Sequence, residues 1–294
     1  MSVLKRKLPC GFNFCSFVLE SLFMTVFSWD EITAAPACPP LFLPGTAITV
    51  GSFDGPHRGH DVLFAGVRDV AAAQGYVPGA VTFTRSAAVK RLGERYPGDI
   101  ATLPQRLSVL EECGLAFAIV IDFSEEFTKI RGEHFLSTLI SRCCMKFIAE
   151  GQDFRCGWQG AVGAAEITAF AHAQGIACMF YAPVIDGAAR VSSSRVRHCI
   201  SRGHCAQAAA LLGRPFALDC TAYPWEPDGT GVRVPRAVCS QVLPPDGRYA
   251  VKTGCENDTV CLCIDGAYLR LGVPSERIAG VRSLEFSGAD KTDG

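Results

Sequence analysis

Residues 47–60 read AITVGSFDGPHRGH, and this stretch decides how the chain folds. The apolar and β-branched residues 47–50 predict a buried strand, and a glycine-flanked turn follows them directly. A helical period then runs from His57 to about Gln74 and ends at Gly75, a residue type that commonly terminates helices. A strand that passes through a tight turn into a helix is the basic unit of a parallel α/β sheet.

The same alternation of short apolar runs and helical periods continues to about Leu212. It predicts an α/β domain whose parallel strands are covered by helices. The predicted strands are Ala47–Val50, Ala80–Phe83, Phe117–Ile121, Lys146–Ala149 and Ala177–Tyr181. The predicted helices are His57–Gln74, Gln105–Cys113, Glu133–Cys143 and Ala161–Gln174.

The character of the sequence changes after Arg214, where prolines and glycines punctuate short strand-like runs without a long helical period. This change predicts an α/β domain over residues 45–213 and a smaller β domain over residues 214–294, preceded by a lead segment, 1–44. A chain of 294 residues is long enough for two domains. The strands predicted in the second domain are Phe216–Tyr223, Arg248–Thr253, Thr259–Cys263 and Ala267–Leu271.

The lead segment has the outline of a short signal peptide, because three basic residues at positions 5–7 precede an apolar run over Phe12–Phe27. Glu20 interrupts that run, its longest uncharged part is too short to span a bilayer, and no small-residue cleavage site follows directly. We therefore expect the first 27 residues to lie outside the fold. Export and translation from Met24 are the alternatives.

Composition and charge exclude several classes of partner. The formal net charge of −1 and the pI near 6.6 leave no positive field to hold nucleic acid or an anionic membrane, so an anionic ligand must meet a local site. The 15 cysteines are odd in number and follow no repeating spacing, which indicates reduced thiols in a cytoplasmic protein. Three cysteine groupings lack the paired spacing of zinc sites: Cys143 with Cys144, Cys261 with Cys263, and Cys199 with His204 and Cys205.

The turn at residues 51–60 has the chemistry of a phosphate site. Gly51 and Gly55 let the backbone approach a ligand, and the helix start offers unpaired N–H groups to an anion. His57 and His60 project from one face of the first helical turn, so both can donate to the same phosphate chain. The Walker pattern for ATP is absent from the sequence. A packing or capping pair, or two ligands of a zinc ion, are the competing interpretations of the histidines.

A second candidate element is the run of residues 191–197, which reads VSSSRVR. Ser193 or Ser194 can cap the helix that follows, and Arg197, one turn into that helix, carries a fork suited to phosphate oxygens. By itself this run also fits an ordinary helix start.

The order of these motifs resembles the nucleotidyltransferase half of the bacterial FAD synthetases, which are bifunctional riboflavin kinase and FMN adenylyltransferase enzymes. Thr82 and Phe83 resemble the Thr-Phe pair at the end of the family's second strand. Residues 151–157, GQDFRCG, resemble its Gly-x-Asp-Phe-Arg-Phe-Gly loop, and residues 211–216, LLGRPF, resemble the segment that leads to the kinase domain. The likeness covers roughly residues 45–220.

This resemblance implies a Rossmann-like nucleotidyltransferase domain that joins FMN to the AMP part of ATP and releases pyrophosphate, with Mg²⁺ arriving on ATP. The implied catalytic residues are His57, His60 and Arg197. The implied ATP site consists of Gly51, Ser52, Phe53, Asp54, His57, His60, Ser193, Ser194 and Arg197. The implied FMN site consists of Phe83, Asp153 and Phe154. No protein ligand of the metal and no oligomeric state is implied.

Two segments depart from the family pattern. Residues 84–87 read TRSA where the family has Glu-Pro-His-Pro, which alters the flavin-side loop. In the second domain, residues 243–251 resemble a Leu-Pro-x-x-Gly-Val-Tyr-Ala strand, but the Gly-x-Pro-Thr-Ala-Asn element of the kinase is missing and PRAV stands at residues 235–238. We therefore expect the kinase activity to be lost and the small β-barrel-like domain to serve as a scaffold or lid. Another acceptor, the full bifunctional enzyme and a non-catalytic flavin-binding protein are the alternatives.

Overall fold

A computed structural model describes residues 24–85, 89, 93–122, 124–229, 231–254 and 258–287. Most of the signal-like stretch therefore lies outside the described residues. The strands of the first part are β1 (Thr25–Ser28), β2 (Thr46–Val50), β3 (Val77–Phe83), β4 (Phe117–Ile121), β5 (Met145–Gly151), β6 (Ala177–Tyr181), β7 (Ile185–Asp186) and β8 (Ala189–Arg190). The helices are α1 (Trp29–Ala34), α2 (Arg58–Gln74), α3 (Leu103–Glu112), α4 (Glu125–Thr128), α5 (Gly132–Cys143), α6 (Ala164–Ala173), α7 (Ser193–Ser201) and α8 (Cys205–Leu212).

Within the described residues, β1 to β6 form one parallel sheet in the order β1-β4-β3-β2-β5-β6. The chain runs from β2 outward to β3 and β4, then returns to the other side of β2 with β5 and β6. This reversal creates a switch point between β2 and β5, and in open α/β sheets ligands bind outside the carboxyl ends of the strands at such a point.

Helices cover both faces of the sheet, as the apolar strands require. On one face, Leu63, Phe64 and Val67 of α2 and Leu110 of α3 form a buried core. On the other face, α1, α5 and α6 bury a second core that includes Ile32, Phe135, Leu136, Leu139 and Ile167. The Rossmann-like α/β fold class expected from the sequence is confirmed, and β4 and β6 have the predicted bounds.

The strand β1 corrects the expectation that the first 27 residues lie outside the fold. Thr25 to Ser28 pair in parallel with Phe117 to Val120 of β4, which places residues 25–27 inside the sheet. Ser28 then caps α1, accepting the Glu31 N–H at 3.1 Å. The sequence carried no separate signal for this strand, because TVFS extends an apolar run that begins at Phe12.

The second part of the chain is a curled antiparallel sheet, which agrees with the smaller β-barrel-like domain expected from the sequence. Its strands are β9 (Ala217–Asp219), β10 (Glu226–Pro227), β11 (Val232–Pro235), β12 (Gly247–Thr253), β13 (Thr259–Ile264), β14 (Tyr268–Leu271) and β15 (Ser283–Phe286), in the order β10-β11-β14-β13-β12-β15-β9. The sheet curls around a core that also takes in Val196 and Ile200 of α7 and Leu211 of α8. The helices α7 and α8 therefore connect the two parts through one shared core.

Candidate active site

A cavity of about 630 Å³ opens at the carboxyl edge of the parallel sheet. The final residues of four strands line it: Val50, Phe83, Gly151 and Tyr181. It therefore spans the switch point between β2 and β5.

Two groups of side chains line this cavity. The histidine end consists of His57, His60, Ser192 and Ser193, where the N-terminal ends of α2 and α7 meet. The aromatic end consists of Phe83, Phe127, Phe135 and Phe154. Because helix N-termini attract anions and aromatic rings bury apolar surface, one end suits phosphate and the other suits a flat ring.

The turn between β2 and α2 is held in an uncommon backbone conformation. Phe53 has a φ of 43°, in the left-handed region that a bulky residue rarely adopts, and Gly55 has a φ of 59°. The Phe53 ring is buried and packs against Phe64 at a centroid distance of 5.1 Å. Packing of this ring therefore holds the strained turn in place.

Arg106 of α3 stabilises the same turn through hydrogen bonds to backbone carbonyl groups. Its side chain is 2% exposed, and one of its terminal nitrogens, Nη1, donates to the carbonyl oxygens of Ser52 at 2.7 Å and Phe83 at 2.9 Å. The other, Nη2, donates to the Thr84 carbonyl at 2.9 Å. One guanidinium thus fixes the loops after β2 and β3, which belong to different ends of the cavity.

His57 and His60 stack their rings at the histidine end. The ring centroids lie 3.8 Å apart and the planes differ by 11°. The backbone N–H of His57 donates to Nδ1 of His60 at 3.3 Å, so the ring proton of a neutral His60 lies on Nε2. The Phe53 ring packs edge-on against His60 at 5.1 Å. The two imidazoles form one stacked unit at the start of α2.

Both imidazoles are neutral at pH 7. Burial lowers the pKa of His57 to about 4, and the nearby Arg190 and Arg214 guanidinium groups also lower it. Burial first, and then the His57 imidazole, lower the pKa of His60 well below its ordinary value. His57 is 5% exposed, and its Nδ1 has no hydrogen-bond partner within the described part of the chain. A neutral imidazole can donate one hydrogen bond to a phosphate oxygen.

Asp54 and Arg197 form a buried ion pair next to the turn. Arg197 donates from Nη2 to Asp54 Oδ2 and from Nε to the Gly98 carbonyl at 3.1 Å. Asp54 also accepts the Ile100 N–H at 2.8 Å. This geometry differs from the expectation that the Arg197 fork faces phosphate. A buried carboxylate requires a charged partner, and Asp54 takes the guanidinium away from the cavity lining.

The serine run divides its hydroxyls among three positions. Ser192 caps α7 by accepting the Arg195 N–H at 3.3 Å, and Ser193 donates to the Asp54 carbonyl at 2.9 Å. Both line the cavity, whereas Ser194 is exposed outside its lining. The sequence left the cap open between Ser193 and Ser194, and the structure assigns it to Ser192.

The aromatic end is built from four separate elements. Phe127 of α4 packs edge-on against Phe83 of β3 at 5.9 Å and against Phe135 of α5 at 6.0 Å. Phe154 enters from the loop after β5, where its N–H donates to the Gly151 carbonyl at 2.9 Å. Their rings form the apolar part of the cavity lining.

An ion pair links the loop after β5 to the β7–β8 hairpin. Arg190 Nη1 donates to Asp153 Oδ2 at 2.7 Å, and both residues line the cavity. Both side chains are more than half exposed, so solvent screens the pair. Asp153 therefore lies at the solvent-exposed rim of the cavity.

Three polar residues of the site were missed by the sequence analysis. Arg106 and Glu150 are buried, and Arg190 lies at the rim. A charged residue inside an apolar strand, such as Glu150 after Phe147–Ala149, is the kind of signal that could have marked one of them. No local pattern distinguishes Arg106 from other helical arginines.

Three of the grouped cysteines are buried in cores, whereas Cys261 is exposed. Cys199 and Cys205 belong to the core of the second part, and Cys143 is buried in the core beneath α5. Burial raises the pKa of Cys143 to about 12, which keeps its thiol protonated. Among the described residues, no three or more histidine, cysteine or acidic side chains come together as a metal site. No helix in that part of the chain is both long and apolar enough to cross a bilayer.

Comparisons with known sequences match the part of the chain that forms the cavity. The sequence model of a family described as FAD synthetase matches residues 41–195. The bifunctional riboflavin kinase/FMN adenylyltransferase of Escherichia coli K12 is 29% identical over 213 residues, which cover 71% of this chain and 68% of that protein. The Bacillus subtilis protein of the same name is 24% identical over 212 residues, covering 70% and 67%.

A solved structure matches both parts of the chain. It is titled as the crystal structure of a macrolide-efflux protein from Streptococcus pneumoniae, with a TM-score of 0.74 and 19% identity. The match covers 92% of this chain and 91% of that chain. At this identity the likeness concerns the fold alone: the order of a parallel α/β part followed by a curled β part recurs in another protein.

Proposed function

The chain belongs to the FAD synthetase family, and from this we propose that it transfers the adenylyl group of ATP to FMN, forming FAD and pyrophosphate. The observation that carries the proposal is the two-ended cavity at the switch point. One end presents helix N-termini, hydroxyls and two neutral imidazoles, and the other presents aromatic rings. ATP and FMN together need such a site, because their phosphates must meet while a flat ring system is held apart.

The proposed reaction is an in-line displacement at the α-phosphorus of ATP. A phosphate oxygen of FMN forms the new P–O bond, the bond to the β-phosphate breaks, and pyrophosphate leaves with the electron pair. FMN phosphate is already a nucleophile, so catalysis consists of placement and neutralisation of growing charge. No covalent enzyme intermediate is required.

The histidine end supplies the neutralising groups in this proposal. His57 and His60 donate to oxygens of the reacting phosphates, and the N-terminal ends of α2 and α7 add backbone N–H groups and dipoles. Ser193 stands at the start of α7 beside them. Mg²⁺ enters as part of the ATP substrate, whose phosphate oxygens supply much of its coordination.

Arg197 has a positioning role in this scheme. Its pairing with Asp54, together with the bond from Ser193 to the Asp54 carbonyl, joins the start of α7 to the turn before α2. Direct contact of Arg197 with pyrophosphate, as the resemblance implies, would require exchange of its carboxylate partner for a phosphate. Arg190 and Arg155 are cations on the cavity lining, and the charge of Arg190 acts on His57.

The aromatic end takes the isoalloxazine ring of FMN. Phe83 and Phe154, expected on the flavin side, line it together with Phe127 and Phe135, and Asp153 stands at its rim. The aromatic lining explains how a large planar ring could be desolvated there.

The test is to mix purified protein with FMN, ATP and Mg²⁺, separate the flavins by chromatography and assay pyrophosphate. FAD and pyrophosphate in equal amounts are expected. FMN binding without pyrophosphate release would identify a non-catalytic flavin-binding protein. Pyrophosphate release with 4′-phosphopantetheine or nicotinate mononucleotide, but not with FMN, would identify another acceptor. Either result would overturn the proposal.

We also propose that the second part of the chain lacks riboflavin kinase activity. The segment that should carry the kinase's threonine and asparagine instead presents Arg236, which binds Asp246 at 2.5 Å and the Asp265 carbonyl at 3.1 Å. Riboflavin incubated with ATP and Mg²⁺ should therefore yield no FMN. Cysteine usage and ATP as a substrate support the cytoplasm as the compartment of the reaction.

A further inference from the structure

One buried carboxyl group lies on the lining of the cavity. Glu150, in β5, is 1% exposed and lies beside the switch point. Its Oε1 accepts the backbone N–H of Val50 at 2.6 Å. The backbone pairing of β2 with β5 ends at Ile48 and Ile148. The Glu150 side chain therefore links the two strands beyond the point where their pairing ends. Among the described residues, Val50 is the one hydrogen-bond partner of this carboxyl group.

The alternation of β5 places Glu150 on the side of the aromatic end. Side chains two apart on a strand share a face, so Glu150 shares a face with Ile148, which packs in the same core as Phe135. Phe147 and Ala149 face the opposite core beneath α2. Glu150 also lies near Cys156, another residue of the cavity lining, since the two groups interact electrostatically.

The surroundings of this carboxyl group favour its protonated form. Burial raises the pKa of Glu150 well above its ordinary value, the Val50 N–H alone offsets it, and no cation pairs with it among the described residues. A protonated carboxyl group carries an O–H donor as well as acceptor oxygens. Oε1 is engaged by Val50, which leaves the second oxygen to meet a ligand in the cavity.

We propose that Glu150 determines specificity for the flavin by donating a hydrogen bond to a ring carbonyl oxygen at the polar edge of the isoalloxazine. The inference rests on the proposed function for the identity of the acceptor. An aromatic recess alone accepts any flat ring, whereas a buried donor that must be satisfied rejects rings without an acceptor at that point. In the proposed function the phosphates of ATP meet the histidine end, so we assign Glu150 to recognition of the flavin.

The test compares E150Q and E150L with the unaltered protein. Glutamine keeps an oxygen for Val50 and an N–H donor for the ligand, whereas leucine removes both. We expect E150L to raise the KM for FMN about 10- to 100-fold with the KM for ATP unchanged, and E150Q to stay within about threefold. Thermal unfolding of both variants measures their folding separately.

Flavin analogues separate recognition from a purely structural role. Sulfur in place of the C2 or C4 carbonyl oxygen of FMN weakens the acceptor with little change in shape. The unaltered protein should bind one of the two analogues about tenfold more weakly than FMN. The E150L variant should bind FMN and both analogues with the same affinity. A similar preference in E150L, or a rise in the KM for ATP instead, would overturn the proposal. Flavin binding is measured by fluorescence in the absence of ATP. The test of Glu150 therefore remains valid even if the protein forms no FAD.

Discussion

The two ends of the cavity are built in different ways. The histidine end comes largely from one continuous stretch, in which strand, strained turn and helix start follow one another within residues 47–60, and the helix start of α7 completes it. The aromatic end gathers single side chains from β3, α4, α5 and the loop after β5. A local backbone motif thus creates the charge-handling end, and tertiary packing creates the ring-binding end.

This difference predicts a division of labour that mutations can test. Changes at the histidine end should affect turnover, because charge grows there in the transition state. Changes at the aromatic end should affect the KM for FMN, because that end contacts the ring equally before and during the reaction.

The largest expected effect comes from removing an imidazole. His57→Ala and His60→Ala should each lower kcat at least about 100-fold, since losing one such donor costs on the order of 3 kcal/mol in the transition state. Initial rates of FAD formation at saturating FMN and ATP measure it. His172→Ala, which changes an exposed histidine on α6, is the matched control and should retain full activity. Unchanged turnover in both His57 and His60 variants would remove the proposed site.

Titration of His57 should make the free energy of unfolding depend on pH. The pKa of His57 is about 4 in the folded protein and near 6.5 when unfolded, so the unfolded chain binds more protons between these values. The contribution of the neutral His57 imidazole to stability is fully present above about pH 6.5 and is lost as the pH falls towards 4. When the pH is lowered from 7 to 5, the free energy of unfolding of the unaltered protein should fall by about 2 kcal/mol more than that of the His57→Gln variant. Urea unfolding at both pH values measures this difference. Parallel losses in the two proteins would show that the imidazole titrates normally.

A smaller effect is expected at the aromatic end. Phe127→Ala should raise the KM for FMN about tenfold and leave kcat within about twofold, because an aromatic contact contributes roughly 1 kcal/mol beyond its area. Steady-state kinetics at varied FMN concentrations measure it. Phe170→Ala on α6 is the control, since Phe170 is also half-buried but lies outside the cavity lining. A loss confined to kcat would contradict the division between the two ends.

The smallest effect is expected for the ion pair at the rim. Arg190 and Asp153 are both exposed enough for salt to screen their attraction. Arg190→Met should change each KM by no more than about threefold at low salt, and less at about 0.5 M salt. A loss of turnover as large as that of His57→Ala would instead make Arg190 part of the phosphate site.

The sequence predicted the fold and the histidine end because both depend on local patterns. Periodicity identified the five strands from β2 to β6, and the glycine-flanked turn marked the carboxyl end of β2. It could not identify β1, whose four residues gain stability only by pairing with β4. Strands β10, β11 and β15 in the second part were missed for the same reason.

The orientation of side chains was less predictable than their position. Arg197 is at the start of α7 as expected, but its partner, Asp54, is 143 residues away in sequence and becomes a neighbour only in the folded sheet. Arg106 and Glu150 depend on the same kind of distant pairing, with backbone groups of the loops after β3 and with β2. A single sequence does not reveal such partners.

The strand β1 also covers the edge of β4, which could otherwise pair with strands of other molecules. Without residues 25–28, a polypeptide trimmed to begin at residue 45 would leave the backbone groups of Phe117 to Val120 unpaired along an apolar edge of the sheet. Such an edge is a template for strands of other molecules. Anyone who prepares the α/β part alone should therefore keep this short strand, because deleting it invites aggregation before any question of catalysis can be asked.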